Sequence, residues 1–239
     1  IFRNSGIPMK PERSQPSSFK QGEAAMIHVI DAGNRHLYGA ELEQHFRIRH
    51  QIYVGERKWM ALERPDGREV DQFDNEDATY LLALDNGRVI GGTRLVPTTS
   101  PHLMADVFPF LADVRGIQRG SDIVEWTRIF VVPERRGSDS KGLHTVLAGM
   151  FEHCLARNVS AITVVMETWW MPRFLELGWE VRPLGLPTMI DGMNCVGTII
   201  TVSETAYRRT LAFKDIEAPV ILSRRAASRA PGERRISHG

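Results

Sequence analysis

The stretch IVEWTRIFVV at residues 123–132 carries the clearest strand pattern in this chain of 239 residues. Apolar and polar side chains alternate along it, as expected for a strand whose two faces are packed differently. A polar, basic segment follows at 133–141, and residues 142–158 have the pattern of a helix. The pattern of residues 123–158 therefore predicts a strand that leads into a helix packed on the same sheet.

The segments on either side predict further strands and helices. Before this unit come a strand at 26–30, an amphipathic helix at 36–56, two strands at 79–84 and 89–96 joined by an Asn-Gly hairpin signal, and a short helix and loop at 97–109. After it come a strand at 161–166, a short helix at 169–178, a strand at 196–202 and a helix at 205–214. This order predicts an α/β fold, a three-layer α-β-α sandwich with a mixed sheet of the N-acetyltransferase (GNAT-like) type.

Charge is unevenly distributed along the chain. Residues 1–25 hold four basic and two acidic residues, and residues 223–239 hold five basic and one acidic, so a total of +1 leaves the body at −5. Both ends are rich in Ser, Pro, Gly and charge and cannot bury enough apolar surface to order themselves. We predict a disordered extension at 1–25 with Met26 as a natural start, one domain at 26–222, and a disordered basic tail at 223–239.

Composition argues against several classes of protein. A mildly acidic body without zinc-finger spacing or a basic helix argues against nucleic-acid binding. The sequence has no run of about 18 apolar residues, which argues against a membrane span, and its first residues lack the apolar stretch of a secretory signal. Cys154 and Cys195 lie in apolar patterns, which favours buried thiols in a reduced, cytoplasmic protein.

Two groups of residues at and after the helix at 36–56 are candidates for chemistry. Arg49 and Tyr53 share a helical face, and Trp59 follows in the next loop. On these residues alone, an arginine beside two core aromatics is the preferred interpretation. Asp71 and Asp74 lie in an acid-rich loop, where they either face solvent or, held near a pocket, bind an ammonium or sulfonium group.

Charged residues inside the strands form the third candidate group. Alternation along the strand at 123–132 places Glu125 and Thr127 on one face, with Trp126 and Arg128 on the other. Arg94 also lies in the middle of a strand. Charges at such positions are costly to bury unless they are paired, so they form either a structural ion-pair network or an active site.

Together these groups resemble the LuxI-type autoinducer synthases, over about residues 26–202. That family has an Arg, an aromatic four residues later and a Trp six residues after that; two Asp three apart; a strand Arg; a Phe fourteen residues beyond it; and Glu-x-(Ser/Thr)-Arg. The matching residues are Arg49, Tyr53, Trp59, Asp71, Asp74, Arg94, Phe108, Glu125, Thr127 and Arg128. Tyr53 stands where Phe is common and Thr127 where Ser is commoner, and neither departure removes a needed group.

The resemblance implies transfer of an acyl group from a thioester to the amine of S-adenosylmethionine, followed by lactonisation with release of methylthioadenosine. It implies that Glu125 is the general base, that Arg94 and Arg128 hold the network and orient the methionyl carboxylate, and that Thr127 belongs to the catalytic group. The residues implied on the S-adenosylmethionine side are Arg49, which would meet a carboxylate, Tyr53, Trp59, Asp71, Asp74 and Phe108. The thioester oxygen would meet backbone N–H groups where parallel strands separate. No cofactor and no metal are expected, and the protein would be a monomer or weak dimer.

The acyl pocket is expected at Trp126, Met166, Trp169 and Trp170, although the tryptophans are equally compatible with a plain core position. Bulky indoles there resemble the branch of the family that uses coenzyme A thioesters of short, branched or aryl acids. We therefore favour acyl-CoA over acyl carrier protein as the donor. The basic loop at 135–141 would meet the phosphates of either donor or form a solvated turn.

Two other functions fit parts of the pattern. One is an ordinary N-acetyltransferase, but the Arg/Gln-x-x-Gly-x-Gly/Ala motif is absent, since Glu134 and Asp139 precede Gly137 and Gly142 by three residues. The other is a catalytically silent protein that binds acyl-CoA or S-adenosylmethionine, against which the retained Glu125 argues.

Overall fold

The computed structural model describes residues 25–137 and 139–222. The predicted tail at 223–239 and the predicted extension at 1–25, apart from Ala25, lie outside the described residues. Ala25 packs against the core beside the first strand. In the described part, every helix is too short or too polar to cross a membrane.

Eight strands and five α-helices occur among the described residues. In chain order they are β1 Met26–Ile30, α1 Gly39–Arg49, β2 Thr79–Asp85, β3 Arg88–Pro97, α2 Leu103–Asp106, β4 Ile123–Val131, α3 Gly142–Ala156, β5 Ala161–Glu167, α4 Trp170–Glu176, β6 Val181–Pro183, β7 Thr188–Ile190, β8 Met193–Thr201 and α5 Glu204–Ala212. The predicted order is confirmed, with β6 and β7 added. These strands have three residues each, too few for an alternating pattern to be recognised.

The strands form a mixed sheet in the order β1-β2-β3-β4-β5-β8-β6, and β7 also pairs with β8. The β2–β3 turn has positive φ at Asn86 and Gly87, 50° and 78°, as the Asn-Gly hairpin signal requires. Neighbouring strands are antiparallel except β4 and β5, which are parallel. These two strands pair only over residues 123–125 and 161–163, so a gap opens between them after Glu125.

Helices cover both faces of the sheet, so the predicted three-layer sandwich is confirmed. On one face, α3 buries Met150 and Phe151 in a core that also holds Trp126 of β4. On the other face, α1 and the turn after it pack Leu42 and Tyr53 against β2 and β3. Each fully buried side chain of this size stabilises the fold by about 1.5–3 kcal/mol relative to exposure.

The predicted helix at 36–56 is helical but not uniform. A 3-10 turn at Arg35–Leu37 precedes α1, and a π-helical segment at His50–Glu56 follows it. The π-helical segment buries three successive side chains, Ile52 to Val54, whereas successive side chains of a regular α-helix point about 100° apart around its axis. It therefore brings Tyr53 against the end of β4.

The predicted alternation in β4 is wrong for Arg128. Between the pairs Gly92–Phe130 and Arg94–Thr127, β4 has one residue more than β3, which is a β-bulge. Arg128 has a φ of 57°, in the left-handed region. Its side chain consequently lies on the same face as Thr127, not on the face of Trp126.

Candidate functional site

Six charged side chains form one buried network on the α1 face of the sheet. Three are arginines from three different elements and three are carboxylates from the loop that precedes β2: Arg49, Arg94, Arg128, Glu69, Asp71 and Asp74. Their formal charges sum to zero. A charged group is costly to bury unless the group is paired and hydrogen-bonded. The balance of charge therefore permits the whole network to be buried.

Arg49 is held at the centre of the network by two carboxylates. Its Nη1 and Nη2 donate to Asp74 at 2.7 and 2.9 Å, and its Nε donates to Glu69 at 2.5 Å. Tyr80 donates its hydroxyl to the same Asp74 at 3.0 Å. Burial alone would raise the pKa of Asp74, but Arg49 and Arg94 outweigh it and hold the pKa well below its ordinary value. Asp74 is therefore ionised at any physiological pH.

Arg94 and Arg128 share Asp71. Arg94 binds its two oxygens with two nitrogens at 2.6 and 3.0 Å and donates from Nε to the Thr127 hydroxyl at 3.0 Å. Arg128 donates to Asp71 at 2.9 Å and to both oxygens of Glu69 at 3.1 Å. The β4 bulge makes this possible, since it turns Arg128 toward the loop.

Tyr53 and Trp59 lie beside the exposed end of the network. Their rings stack at 5.0 Å with an interplanar angle of 19°, and the Arg128 guanidinium lies 5.5 Å from the Tyr53 ring centre. The Tyr53 hydroxyl, which a Phe would lack, donates to the Ile129 carbonyl at 2.7 Å. Burial raises the pKa of Tyr53 to about 12, so this hydroxyl keeps its proton. The Trp59 Nε1 is buried without a hydrogen-bond partner among the described residues.

Glu125 is fully buried on β4 at the last residue paired with β5. Its two oxygens accept hydrogen bonds of 2.7 Å each from the backbone N–H groups of Leu103 and Met104, at the start of α2. Burial raises the pKa of Glu125 to about 7, against the opposing effects of those two hydrogen bonds and of Arg94. A carboxyl that titrates near neutral pH suits proton transfer.

The structure thus brings most of the sequence-predicted polar residues together and leaves Phe108 apart. Phe108 packs edge to face on Phe110 at 6.1 Å, after α2. Among the described residues, its ring forms no cation–π pair with an arginine of the network. Glu69 was missed by the sequence analysis, although it binds both Arg49 and Arg128. No signal in the sequence distinguishes Glu69 from the other acidic residues of this loop, because its pairing depends on the folded course of the loop.

A cavity of about 750 Å³ opens beside β4, beyond the residues of β4 that pair with β5. It extends from the π-helical segment on one face to the start of α3 on the other, past residues 129–131 of β4. Trp169 and Trp170 line it, stacked on one another at 4.5 Å. Trp126 and Met166, the other two residues expected in an acyl pocket, lie in the core behind this wall.

The wall continues inward as a series of aromatic rings. Trp170 stacks on Phe174 at 5.4 Å, and Phe174 lies 5.7 Å from Trp126. Trp169 donates its Nε1 to Glu167 at 2.5 Å, and the same carboxylate pairs with Arg57 at 2.5 Å across the cavity mouth.

The remaining lining is strongly basic. The ionisable lining residues other than histidine are Arg57, Arg135, Arg136, Arg173, Lys214 and Glu56. Three of these cations already pair with a carboxylate: Arg57 with Glu167, Arg135 with Asp85 and Arg136 with Glu56. The excess of positive charge that remains favours an anionic ligand. The predicted basic loop at 135–141 supplies two of these arginines. No cluster of His, Cys, Asp and Glu suited to a metal ion occurs among the described residues.

Comparison with known proteins gives a consistent family. The autoinducer synthase family model matches residues 34–210. The isovaleryl-homoserine lactone synthase of Bradyrhizobium diazoefficiens is 54% identical over 70% of this chain and 75% of that protein. The structure of BjaI, a CoA-dependent acyl-homoserine lactone synthase with SAM and isopentyl-CoA, superposes with a TM-score of 0.79 at 45% identity, covering 83% of this chain and 92% of BjaI.

A second solved structure indicates the same family. MesI, another CoA-dependent acyl-homoserine lactone synthase, superposes with a TM-score of 0.76 at 41% identity, and the alignment covers 82% of this chain and 98% of MesI. The resemblance inferred from the sequence motifs is confirmed by these matches. The chain therefore belongs to the autoinducer synthase family of acyltransferases.

Proposed function

We propose that this chain is an acyl-homoserine-lactone synthase that takes a short, branched acyl group from an acyl-CoA and transfers it to the amine of S-adenosylmethionine. One observation carries the proposal. Glu125, with a pKa of about 7, lies at the residue where β4 leaves β5, on the strand that also carries Arg128 of the charged network and residues 129–131 of the basic cavity. Family membership supports the same reaction.

S-adenosylmethionine would bind at the exposed end of the network. Among the six members, Arg128 and Asp71 have 8% and 10% of their side chains exposed, and the other four have at most 1%. Arg128 is therefore assigned to the methionyl carboxylate and Asp71 to the ammonium. Trp59, half-buried, offers a π face to the sulfonium.

The other arginines have a positioning role under this proposal. The family resemblance implied that Arg49 would meet a carboxylate of S-adenosylmethionine. Arg49 is instead fully buried and already bound by Asp74 and Glu69. Arg94 is likewise fully buried and orients Asp71 and the Thr127 hydroxyl. Together they fix the loop that carries the carboxylates, at a precision that exposed side chains would not provide.

The reaction then proceeds in two steps. Glu125 accepts the ammonium proton, directly or through a water, and the freed amine attacks the thioester carbonyl. Backbone N–H groups of β4 beyond Glu125, no longer paired with β5, stabilise the oxyanion, and the CoA thiolate leaves and takes up a proton. The methionyl carboxylate next attacks its own γ-carbon, which closes the lactone and expels methylthioadenosine. Neither step needs a side-chain nucleophile.

The cavity supports acyl-CoA as the donor. CoA carries three phosphate groups and a phosphopantetheine arm carries one, so the excess of positive charge along the lining favours CoA. The indole wall favours an acyl group about the size of isovaleryl, and the relatives named above include an isovaleryl-homoserine lactone synthase and a structure with isopentyl-CoA. Acyl carrier protein as a partner, a monomer or weak dimer, and a cytoplasmic location remain predictions.

Mass spectrometry of organic extracts tests the proposal. The purified protein is incubated with S-adenosylmethionine and, in separate reactions, isovaleryl-CoA, hexanoyl-CoA, benzoyl-CoA and octanoyl-acyl carrier protein. We expect a homoserine-lactone fragment ion and equimolar methylthioadenosine, with isovaleryl-CoA as the best donor. Thioester hydrolysis, acylation of other amines, or binding without turnover would contradict it. Lactone from acyl carrier protein alone would contradict the donor assignment.

A further inference from the structure

An exposed aromatic ring lines the cavity and comes from a part of the sequence distant from Trp169 and Trp170. Phe213 directly follows α5 and is 52% exposed, although it is large and apolar. Its ring stacks on that of His144, near the start of α3, with centroids 5.0 Å apart and an interplanar angle of 14°. Both rings line the cavity. The pair therefore presents a flat aromatic surface to whatever occupies that end.

His144 contributes a second, uncharged ring to this aromatic surface. Its Nδ1 is buried and has no hydrogen-bond partner among the described residues. Burial and the nearby charge of Lys214 lower the pKa of His144 from its ordinary value of 6.5, so the imidazole is neutral at physiological pH. A neutral imidazole has one donor and one acceptor nitrogen and stacks on a base without a charge to desolvate.

Cations surround this ring pair. The Lys214 Nζ lies 5.9 Å from the Phe213 ring centre. Arg135 and Arg136 line the cavity before α3, and each pairs with one carboxylate, Asp85 and Glu56 respectively. Phosphate groups attached to an aromatic base would thus find positive charge on more than one side.

We propose that the His144–Phe213 ring pair binds the adenine of the CoA donor, with Arg135, Arg136 and Lys214 around its phosphates, and that this contact makes the enzyme select CoA thioesters. The inference rests on the proposed acyl-CoA function and deepens it. It places the nucleotide at the α3–α5 end of the cavity and the acyl group at the indole wall. The pantetheine chain then lies along the gap between β4 and β5.

Steady-state kinetics with two donors test the assignment. Isovaleryl-CoA carries the adenosine 3′,5′-bisphosphate portion, and isovaleryl-pantetheine lacks it. Loss of a base–aromatic stack costs about tenfold in affinity. We expect Phe213→Ala to raise KM for isovaleryl-CoA about tenfold, to leave kcat nearly unchanged, and to leave kcat/KM for isovaleryl-pantetheine unchanged. Phe213→Trp should restore the KM for isovaleryl-CoA.

A matched control and a binding measurement complete the test. Met189→Ala removes an apolar side chain that is 63% exposed on β7, outside the cavity, and should change neither donor. Adenosine 3′,5′-bisphosphate should bind the wild type in calorimetry and compete with isovaleryl-CoA, and Phe213→Ala should weaken this binding about tenfold.

Three results would overturn the inference. An unchanged KM for isovaleryl-CoA in Phe213→Ala would do so and would leave the proposed lactone synthesis intact. Equal losses with both donors would mean that Phe213 only supports the fold. Wild-type protein that makes lactone from acyl carrier protein alone, with no binding of the bisphosphate, would overturn both the inference and the CoA assignment.

Discussion

Replacement of Glu125 by glutamine removes the proton acceptor while it keeps the size and shape of the side chain, so it tests catalysis with little change to the fold. Glutamine keeps the shape and one acceptor oxygen but cannot accept a proton. General-base catalysis contributes about 10²–10⁴-fold, so we expect Glu125→Gln to lower kcat/KM by about that factor. The wild-type kcat/KM should rise with pH through about 7, the pKa of Glu125, and the residual activity of the variant should lack that inflection.

The same substitution has a pH-dependent effect on stability. The pKa of Glu125 lies at about 7 in the folded protein, above its ordinary value of 4.5. Because the folded-state value is raised, the folded wild type is penalised as pH rises through this window, by about 3 kcal/mol once the carboxyl is fully ionised. Glutamine does not titrate and escapes the penalty. It also turns an amide N–H toward one of the two backbone N–H groups, which costs about 1–3 kcal/mol.

These two terms predict a variant that folds but does not turn over. Relative to the wild type, Glu125→Gln should be less stable at pH 5 and of similar or greater stability at pH 8. Urea unfolding at both pH values, followed by circular dichroism, measures the difference, and initial rates from pH 5.5 to 8.5 give the profile. Near-normal turnover in the variant would refute the role of Glu125 as base. A stability difference that does not change with pH would refute the raised pKa.

Four further outcomes follow from the same geometry. Arg49→Met leaves two buried carboxylates short of a partner and should destabilise the fold by about 3–5 kcal/mol in urea unfolding, whereas Arg47→Met, on the exposed side of α1, should change it by less than about 0.5 kcal/mol. Asp74→Asn should be destabilised at pH 7 but lose less stability than the wild type on acidification below 3.8, because a lowered pKa gives stability that disappears as pH falls through it. Tyr53→Phe should lose about 1 kcal/mol of stability and keep its turnover. Trp170→Ala should shift donor preference toward longer acyl-CoA chains, by about fourfold per methylene accommodated, as read by mass spectrometry of the lactones.

Each of these has a result that would count against it. Equal urea midpoints for Arg49→Met and Arg47→Met would mean that the network contributes little to stability. A wild type and Asp74→Asn with parallel acid dependence would contradict the lowered pKa. Inactive Tyr53→Phe would show that the hydroxyl has a chemical role, and an unchanged product spectrum for Trp170→Ala would remove the indole wall as the limit on acyl size.

Much of the fold followed from local patterns. The alternation in β4 and the helical spacing of α3 identified the central unit, since a strand and a helix must each bury one side. The pairing of buried charges was predicted from the free-energy cost of burying an unpaired charge, because Arg94 and Glu125 lie in the middle of strands and require partners. That argument predicted pairing without giving the pairs, because partners such as Glu69 come from a loop whose course depends on tertiary packing.

The remaining features depend on context that alternation does not encode. The bulge at Arg128 arises from a mismatch of one residue between two strands, and either strand alone has a regular pattern. The π-helical end of α1 depends likewise on what Tyr53 packs against. The division of the tryptophans, with Trp126 in the core and Trp169 at the cavity, requires the separation of β4 from β5, which only the assembled sheet defines.

Charge balance links the network to the chemistry. The network is neutral before substrate arrives, and S-adenosylmethionine brings two positive charges and one negative. Its methionyl carboxylate would be matched by Arg128 and its ammonium held by Asp71, and that ammonium must lie near Glu125 for Glu125 to accept its proton. A nearby cation favours the ionised form of a carboxyl and lowers its pKa. Under the proposed function, substrate binding therefore deprotonates the group that must accept the substrate's own proton, and the base is formed only when there is an amine to activate.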